Sequence, residues 1–314
     1  MSVRRAGLWV SLAVLLAALL EAVLRVAFGF GHPLLYAPDG SVGYLPRPNQ
    51  ALHRLGAAIN INAYGMRSEE VASTVPAGHN RLLFIGDSVT FGTTYVDQKE
   101  IFTELLKADY VRRYGDRVEV LNASAGGWAP ANEYEFLKSR GTLGAQLVVF
   151  VLNTNDLDQP FAPLENSPAF PTANPATALG EVWVRYVRPR LGVALRQADP
   201  GSESEATPNL QEAGKVLQTM RAAKQLAESQ GARFAIIFSP SSYPKMNNAA
   251  WRSTLAAFEK WAESAHVPWL DMTPSYARYP PAEIYFDNIH LRPLGHRLVA
   301  EAFEAQFPAA AVAQ

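Results

Sequence analysis

Two short stretches near opposite ends of a 314-residue chain hold the residue types that acyl transfer requires. In Arg81-Leu82-Leu83-Phe84-Ile85-Gly86-Asp87-Ser88 an apolar run ends at Gly-Asp, and the next side chain is a serine that a tight turn would push out of the end of a strand. A serine hydroxyl is a weak nucleophile at its free pKa, so this reading needs a base elsewhere and donors for the oxyanion that would form. Phe286-Asp287-Asn288-Ile289-His290 supplies a carboxylate and an imidazole three residues apart, a spacing that lets one turn of chain place both on one side. In that pairing His290 takes the serine proton, and Asp287 sets the ring tautomer and stabilises the imidazolium. His296, one turn into the following helix, reads as a packing or surface residue instead.

Oxyanion donors should come from other strand ends. Asn122-Ala123-Ser124-Ala125-Gly126-Gly127 follows a second apolar run, where glycine lets a backbone N–H approach a ligand closely; a plain turn would explain the same residues. Asn153-Thr154-Asn155-Asp156 closes a third run. An asparagine amide suits the task because it stays neutral while charge develops on the substrate oxygen, although the same residues also fit a helix cap or an Asx-turn. Asn122-Ala123-Ser124 also matches a glycosylation acceptor pattern, which is discounted because a strand end aimed at a site is a poor place for a glycan.

The elements that must position these residues follow from hydrophobic periodicity. Strands are expected at Leu82–Ile85, Arg117–Leu121, Leu147–Leu152, Arg233–Phe238 and Val267–Leu270, and helices at Gln98–Tyr114, Ala131–Arg140, Asn209–Gln230, Asn248–Ala265 and Pro293–Phe307. Such alternation predicts an α/β fold, a three-layer α/β/α sandwich around a mostly parallel five-stranded sheet of flavodoxin-like type with right-handed crossovers. Ligands then bind at the carboxyl ends of the strands, where all four candidate stretches fall.

Before this domain, Arg4 and Arg5 precede an uncharged run from Ala6 to Leu20, with a further apolar stretch to Phe30. The segment 1–30 is therefore read as a membrane anchor or a signal segment. The poor cleavage pattern after Leu20 favours the anchor. The positive-inside rule then puts the rest outside the cytoplasm, in a periplasm or at the cell surface; cleavage would make the protein secreted. Residues 31–80, rich in Pro, Gly and Asn, fit short strands and turns folding back on the 81–314 domain. A Pro-rich insertion at 157–208, with a short helix expected around Trp183-Val184-Arg185-Tyr186, follows the third strand; it fits an element that shapes substrate access and equally a disordered linker.

Composition adds boundaries. With 48% hydrophobic and 18% charged residues the chain is globular, and a net charge of −1 carries no argument for nucleic acid. There is no cysteine, hence no disulfide, thiolate metal site or cysteine nucleophile. Neither a cofactor nor a metal is expected.

Taken in order, Gly86-Asp87-Ser88, Gly127 with Gly126 adjacent, Asn155 with Asp156, and Asp287-x-x-His290 resemble the blocks of the SGNH, or GDSL-type, hydrolase superfamily, over Arg81 to Phe307. Asn62-Ala63-Tyr64-Gly65-Met66-Arg67 also resembles a segment upstream of the serine block in membrane-anchored bacterial members. The resemblance implies Ser88, His290 and Asp287 as the catalytic set, and the Ser88 and Gly127 N–H groups with the Asn155 amide as oxyanion donors. Asn153, Asp156 and Gly126 are expected to contact substrate. Two departures stand out: Asn153 occupies the place of a glycine, and Val89 that of a leucine. The implied activity is ester cleavage on an acylated small molecule or cell-envelope carbohydrate. An O-acyltransferase using the same residues, or an inactive membrane-tethered binding or assembly protein, remain alternatives.

Overall fold

The computed structural model describes residues 3–115, 117–195, 207–242 and 248–308. At its centre is a five-stranded sheet of β5 (Asn80–Gly86), β6 (Val118–Ser124), β7 (Leu147–Asn153), β8 (Arg233–Ser239) and β9 (Trp269–Asp271), in the order β6-β5-β7-β8-β9. All neighbouring pairs are parallel. The strands are apolar on both faces because helices cover both. Leu83, Ile85, Val148, Phe150, Ile236 and Phe238 face one core with α4 (Pro130–Arg140), α7 (Leu210–Ser229) and α8 (Ala249–Ser264). The alternating set Leu82, Phe84, Val149, Val151 and Ile237 faces a second core with α3 (Phe102–Tyr114) and α11 (Pro293–Gln306). Short helices α2 (Ser88–Phe91), α9 (Thr273–Tyr276) and α10 (Pro281–Ile284) punctuate the loops. This is the expected three-layer α/β architecture. The sheet order reverses at β5, and the crevice between the carboxyl ends of β5 and β7 is the switch point at which such sheets bind ligands.

Some boundaries differ from the periodicity. The second strand runs on to Ser124, because the polar side chains that look like a turn are satisfied inside the protein: Asn122 donates to Thr90 O (2.8 Å) and Thr103 Oγ1 (3.2 Å). Asn122 is fully buried, which closes it to a glycan. The first helix begins at Phe102, after a separate short turn at Gln98–Glu100, since Ile101 is extended.

Residues 31–79 form two antiparallel hairpins, β1 (Tyr36–Asp39) with β2 (Gly43–Pro46) and β3 (Gln50–Arg54) with β4 (Ala57–Ile61). Tyr44, Ile59, Ile61 and Met66 are buried in the same core as α4 and α7. N-terminal to them is α1 (Val3–Phe28), whose Gly7–Phe28 portion is long and apolar enough to cross a membrane and leaves its apolar side chains exposed. In the insertion, α5 (Ala178–Val182), a π turn (Trp183–Val187) and α6 (Arg188–Leu195) run on continuously. The Ala198 to Glu203 part of the insertion and the chain end past 308 lie outside the described residues.

Candidate active site

Gly86 ends β5 because nothing larger fits: a Cβ there would stand 2.1 Å from Thr90 Oγ1 and 3.1 Å from Val151 O. Asp87 then caps α2, its Oδ1 accepting from Val89 N (2.8 Å), and α2 closes at Gly92 with φ 85°. Between them Ser88 emerges half-buried at the sheet's carboxyl edge. The turn after α2 is held by Arg67, which is fully buried and donates to Phe91 O (2.7 Å), Thr93 O (2.6 Å) and Val96 O (2.6 Å). The Asn62 to Arg67 segment thus acquires a function in the structure. Asn62 Oδ1 folds its own turn by accepting from Tyr64 N (2.9 Å) and Met66 N (3.0 Å), and this delivers Arg67 to the loop that follows the serine helix.

The loop between α10 and α11 brings His290 to Ser88. Asp287 Oδ1 accepts from Ile289 N (2.8 Å) and His290 N (2.9 Å), which winds the loop into one turn, while Asp287 Oδ2 lies 2.6 Å from His290 Nδ1. His290 Nε2 is then 3.0 Å from Ser88 Oγ. With Nδ1–H donating to the carboxylate, Nε2 carries the lone pair that accepts the serine proton. Partial burial works to raise the Asp287 pKa, but the bonds from His290 and Ile289 outweigh it, and the carboxyl is held below the usual range. His296 is elsewhere: fully buried, stacked near Phe102 at 6.1 Å, and driven down to a pKa of about 3 by burial and by Arg67, it is a packing residue.

Sheet register brings the remaining stations alongside. Gly86 pairs with Ser124 on one side and Val151 on the other, so the turns bearing Ser88, Gly127 and Asn155 leave adjacent strands at one edge. Gly127 has φ 75°, and a Cβ would meet Phe170 and the Tyr44 hydroxyl at 3.1 Å each. Tyr44 also donates to Gly126 O (2.7 Å). The glycine turn is therefore shaped by a prefix hairpin and by the insertion together. Gly126 is half-buried and Gly127 exposed. Asn155 is half-buried in the first turn after β7.

Asn153 and Asp156 do not meet the expectation of substrate contact. They are 1% and 0% exposed, and their polar atoms hold the loop. Asn153 Nδ2 donates to Asp87 Oδ2 (3.0 Å) and Asp156 Oδ2 (2.7 Å), its backbone N donates to the same Asp156 oxygen (2.7 Å), and its Oδ1 accepts from Asn155 N (2.7 Å). The residue that replaces the glycine thus links the serine turn to the asparagine turn. Around this amide are three buried carboxyl groups. Burial, then the neighbouring aspartates, push Glu133 well above the ordinary range; burial, then Asp87, do the same to Asp156. Burial also raises Asp87, against the pull of Val89 N–H and His290. Neither Glu133 oxygen meets a hydrogen-bond donor among the described residues.

Of these residues Asp87 sits in the serine motif, with no local sign that it meets Asn153; Glu133, Tyr44, Phe170 and Arg67 carried no separate signal. Two exposed rings complete the rim: Tyr95 and Phe286 lie 6.0 Å apart, Phe286 directly preceding Asp287.

The fold and the Ser-His-Asp file define a class of three-layer α/β proteins with a hydroxyl, an imidazole and a carboxylate in line at the switch point of the sheet. Within it, the chain belongs to the GDSL-like lipase/acylhydrolase family, whose model matches residues 84–298. Solved structures resemble the chain at low identity. A point mutant of Axe2, an acetyl-xylooligosaccharide esterase from Geobacillus, is 14% identical with a TM-score of 0.50 over 75% of this chain and 97% of that one. TesA is 16% identical, with a TM-score of 0.48 over 73% and 99%. A lipolytic G-D-S-L family protein from Veillonella parvula is 15% identical, with a TM-score of 0.45 over 72% and 97%. No curated protein matches the chain.

Proposed function

We propose that this protein is a serine esterase that removes O-acyl groups through an acyl-enzyme. The observation that carries this reading is the unbroken file from Asp287 Oδ2 through His290 to Ser88 Oγ, at 2.6 and 3.0 Å. Ser88 Oγ attacks the ester carbonyl as His290 Nε2 takes its proton; His290 then gives that proton to the leaving alcohol, and water, deprotonated by the same nitrogen, releases the acid. The Ser88 and Gly127 N–H groups and the Asn155 amide receive the oxyanion, a contribution worth about 3 kcal/mol per donor in comparable sites. Asp287 keeps the ring in the accepting tautomer.

In this reading α1 is a membrane anchor and the catalytic domain lies outside the cytoplasm, with an acylated cell-envelope carbohydrate as the substrate class. Support comes from the apolar α1 with arginines at its start and from the exposed rings Tyr95 and Phe286, which offer flat faces to a sugar. A fluorophosphonate probe should label the full-length protein at Ser88 and fail with Ser88→Ala. A short-chain p-nitrophenyl ester should likewise lose at least about 10³-fold in kcat/KM. Equal rates in the two proteins would remove the esterase reading. If a glycan alcohol captures the acyl group faster than water does, the same residues perform acyl transfer, and the product analysis separates the two.

A further inference from the structure

We propose that the helical part of the insertion, from Ala178 to Leu191, is a membrane-interface element: it packs on the outer turns of α1 and lays Trp183, Val187 and Leu191 against the lipid surface. The proposal rests on the reading of α1 as a membrane anchor. Three observations lead to it.

The first is a length. The uncharged run Ala6 to Leu20 covers only about 22 Å of helix, short of a hydrocarbon core of about 30 Å, whereas Gly7–Phe28 covers about 33 Å. The apolar exterior of α1 does continue to its end. Val23, Val26 and Phe28 keep 42%, 85% and 43% of their surface exposed. Lipid is the environment that suits them, so the turns from Glu21 to Phe28 belong at the outer edge of the bilayer.

The second is the charged pair that those turns also carry. Glu21 and Arg25 would be costly there unless paired. Arg25 Nε donates to Glu21 Oε1 at 2.6 Å, and the insertion supplies the rest: Glu21 accepts from Ala178 N (2.8 Å) and Leu179 N (2.9 Å), and Arg25 Nη2 donates to Ala176 O (3.1 Å). Further contacts continue along the same helix. Gly31 N donates to Glu181 Oε2 (2.7 Å), Glu181 pairs with the buried Arg54, and Tyr186 meets Phe30 edge-on at 5.6 Å. The insertion is thereby fixed at the depth of residues 21 to 31, where the membrane surface must lie.

The third is the outer face of that helix. Trp183, Val187 and Leu191, at intervals of four, are 52%, 37% and 50% exposed and form one apolar stripe. Exposed Arg188 and Arg190 flank it. A tryptophan and aliphatic residues on one face with arginines beside them are the composition of a helix lying in the interfacial zone, where the cations meet anionic headgroups. Tyr186 also neighbours Tyr95 on the rim of the candidate site, so the element that meets the lipid is the one that reaches the cleft.

The chain has no cysteine, so single-cysteine variants of the full-length protein report position without background. V187C, L12C and E228C would each be labelled with an environment-sensitive fluorophore, and the protein reconstituted in bilayers of phosphatidylcholine and phosphatidylglycerol. Spin-labelled lipids would carry the quencher near the headgroup or deep in the chain. V187C should lose about half its emission to the shallow quencher and L12C a similar fraction to the deep one, with E228C unaffected. Adding R188E and R190E should reduce the V187C quenching about twofold in the anionic bilayer. If V187C is as unquenched as E228C, the interface proposal is overturned whatever L12C reports. An unquenched L12C overturns the anchor reading, and the two failures are read from different probes.

Discussion

Two groups of carboxyls flank Ser88, and their settings are opposite. Asp287 is about half exposed, receives two backbone N–H groups and the His290 ring, and is held below its ordinary pKa. Asp87, Asp156 and Glu133 are buried and pushed upward; the first two share the donors of one neutral amide, that of Asn153, and Glu133 meets no donor among the described residues. Residue type alone does not distinguish them. A carboxylate that must offset an imidazolium stays charged by keeping water and several donors, whereas carboxyls in a dry interior without a cation favour the protonated acid and act as shape-holding hydrogen-bonding groups. In the proposed mechanism Ser88 is thus supported from two directions, electrically by Asp287 through His290 and geometrically by Asp87 and Asp156 through Asn153.

The largest test of this division is Asp287→Asn. The amide fills the same space but does not offset an imidazolium, and it can hold the ring in the wrong tautomer; kcat should fall on the order of 10³-fold, with a small fall in melting temperature from the lost charge-assisted bonds. Asp87→Asn is the matching variant, and it should cost far less in kcat. The division would be reversed if Asp287→Asn kept a tenth of the activity while Asp87→Asn lost nearly all of it.

What could be read beforehand has a physical pattern. Ser88, Gly127, Asn155 and the Asp287 to His290 pair each belong to a few residues at the end of one element, and a parallel sheet carries such ends to one edge without further information. The strand alternation was legible for the same reason, being local. Asn153 was legible only as a departure, because its task depends on Asp87, far away in sequence, and on the β5–β7 pairing that brings the two turns together. Glu133 looked like any charge on an amphipathic helix; its burial depends on how α4 meets the loops. Tyr44 and Arg67 reach the site from the prefix, and nothing near them in sequence mentions glycine turns or open carbonyls.

An intermediate effect is expected at Asn153 itself. Asn153→Ala removes both side-chain N–H donors that join Asp87 to Asp156 and the acceptor that holds Asn155 N, weakening the bonding of buried groups at a cost of about 1–3 kcal/mol. The turns it links would lose their register, so kcat should drop about tenfold with KM little altered, as for a loss felt mainly in the transition state. Asn153→Gly should behave similarly, although it restores the residue more usual in the resemblance. If Asn153→Gly matched the parent in kcat and in stability, the amide would be filling space and the geometric half of the comparison would fail.

The smallest effect concerns pH and stability at Glu133. Its native pKa lies above that of the unfolded chain, near 4.3, so across the interval between them the folded protein binds more protons than the unfolded one. Stability is then fully present below about pH 4 and declines as pH rises toward the native pKa, the opposite of the contribution from Asp287, whose lowered pKa adds stability that is lost only on acidification. Glu133→Gln removes the titration. It also supplies N–H donors in place of oxygens that meet no donor among the described residues. Thermal unfolding should show Glu133→Gln more stable than the parent near pH 8, with the difference shrinking toward pH 4.5. A variant destabilised equally at both pH values would mean that Glu133 is ionised in the folded protein, and the two groups of carboxyls around Ser88 would then differ in position but not in charge.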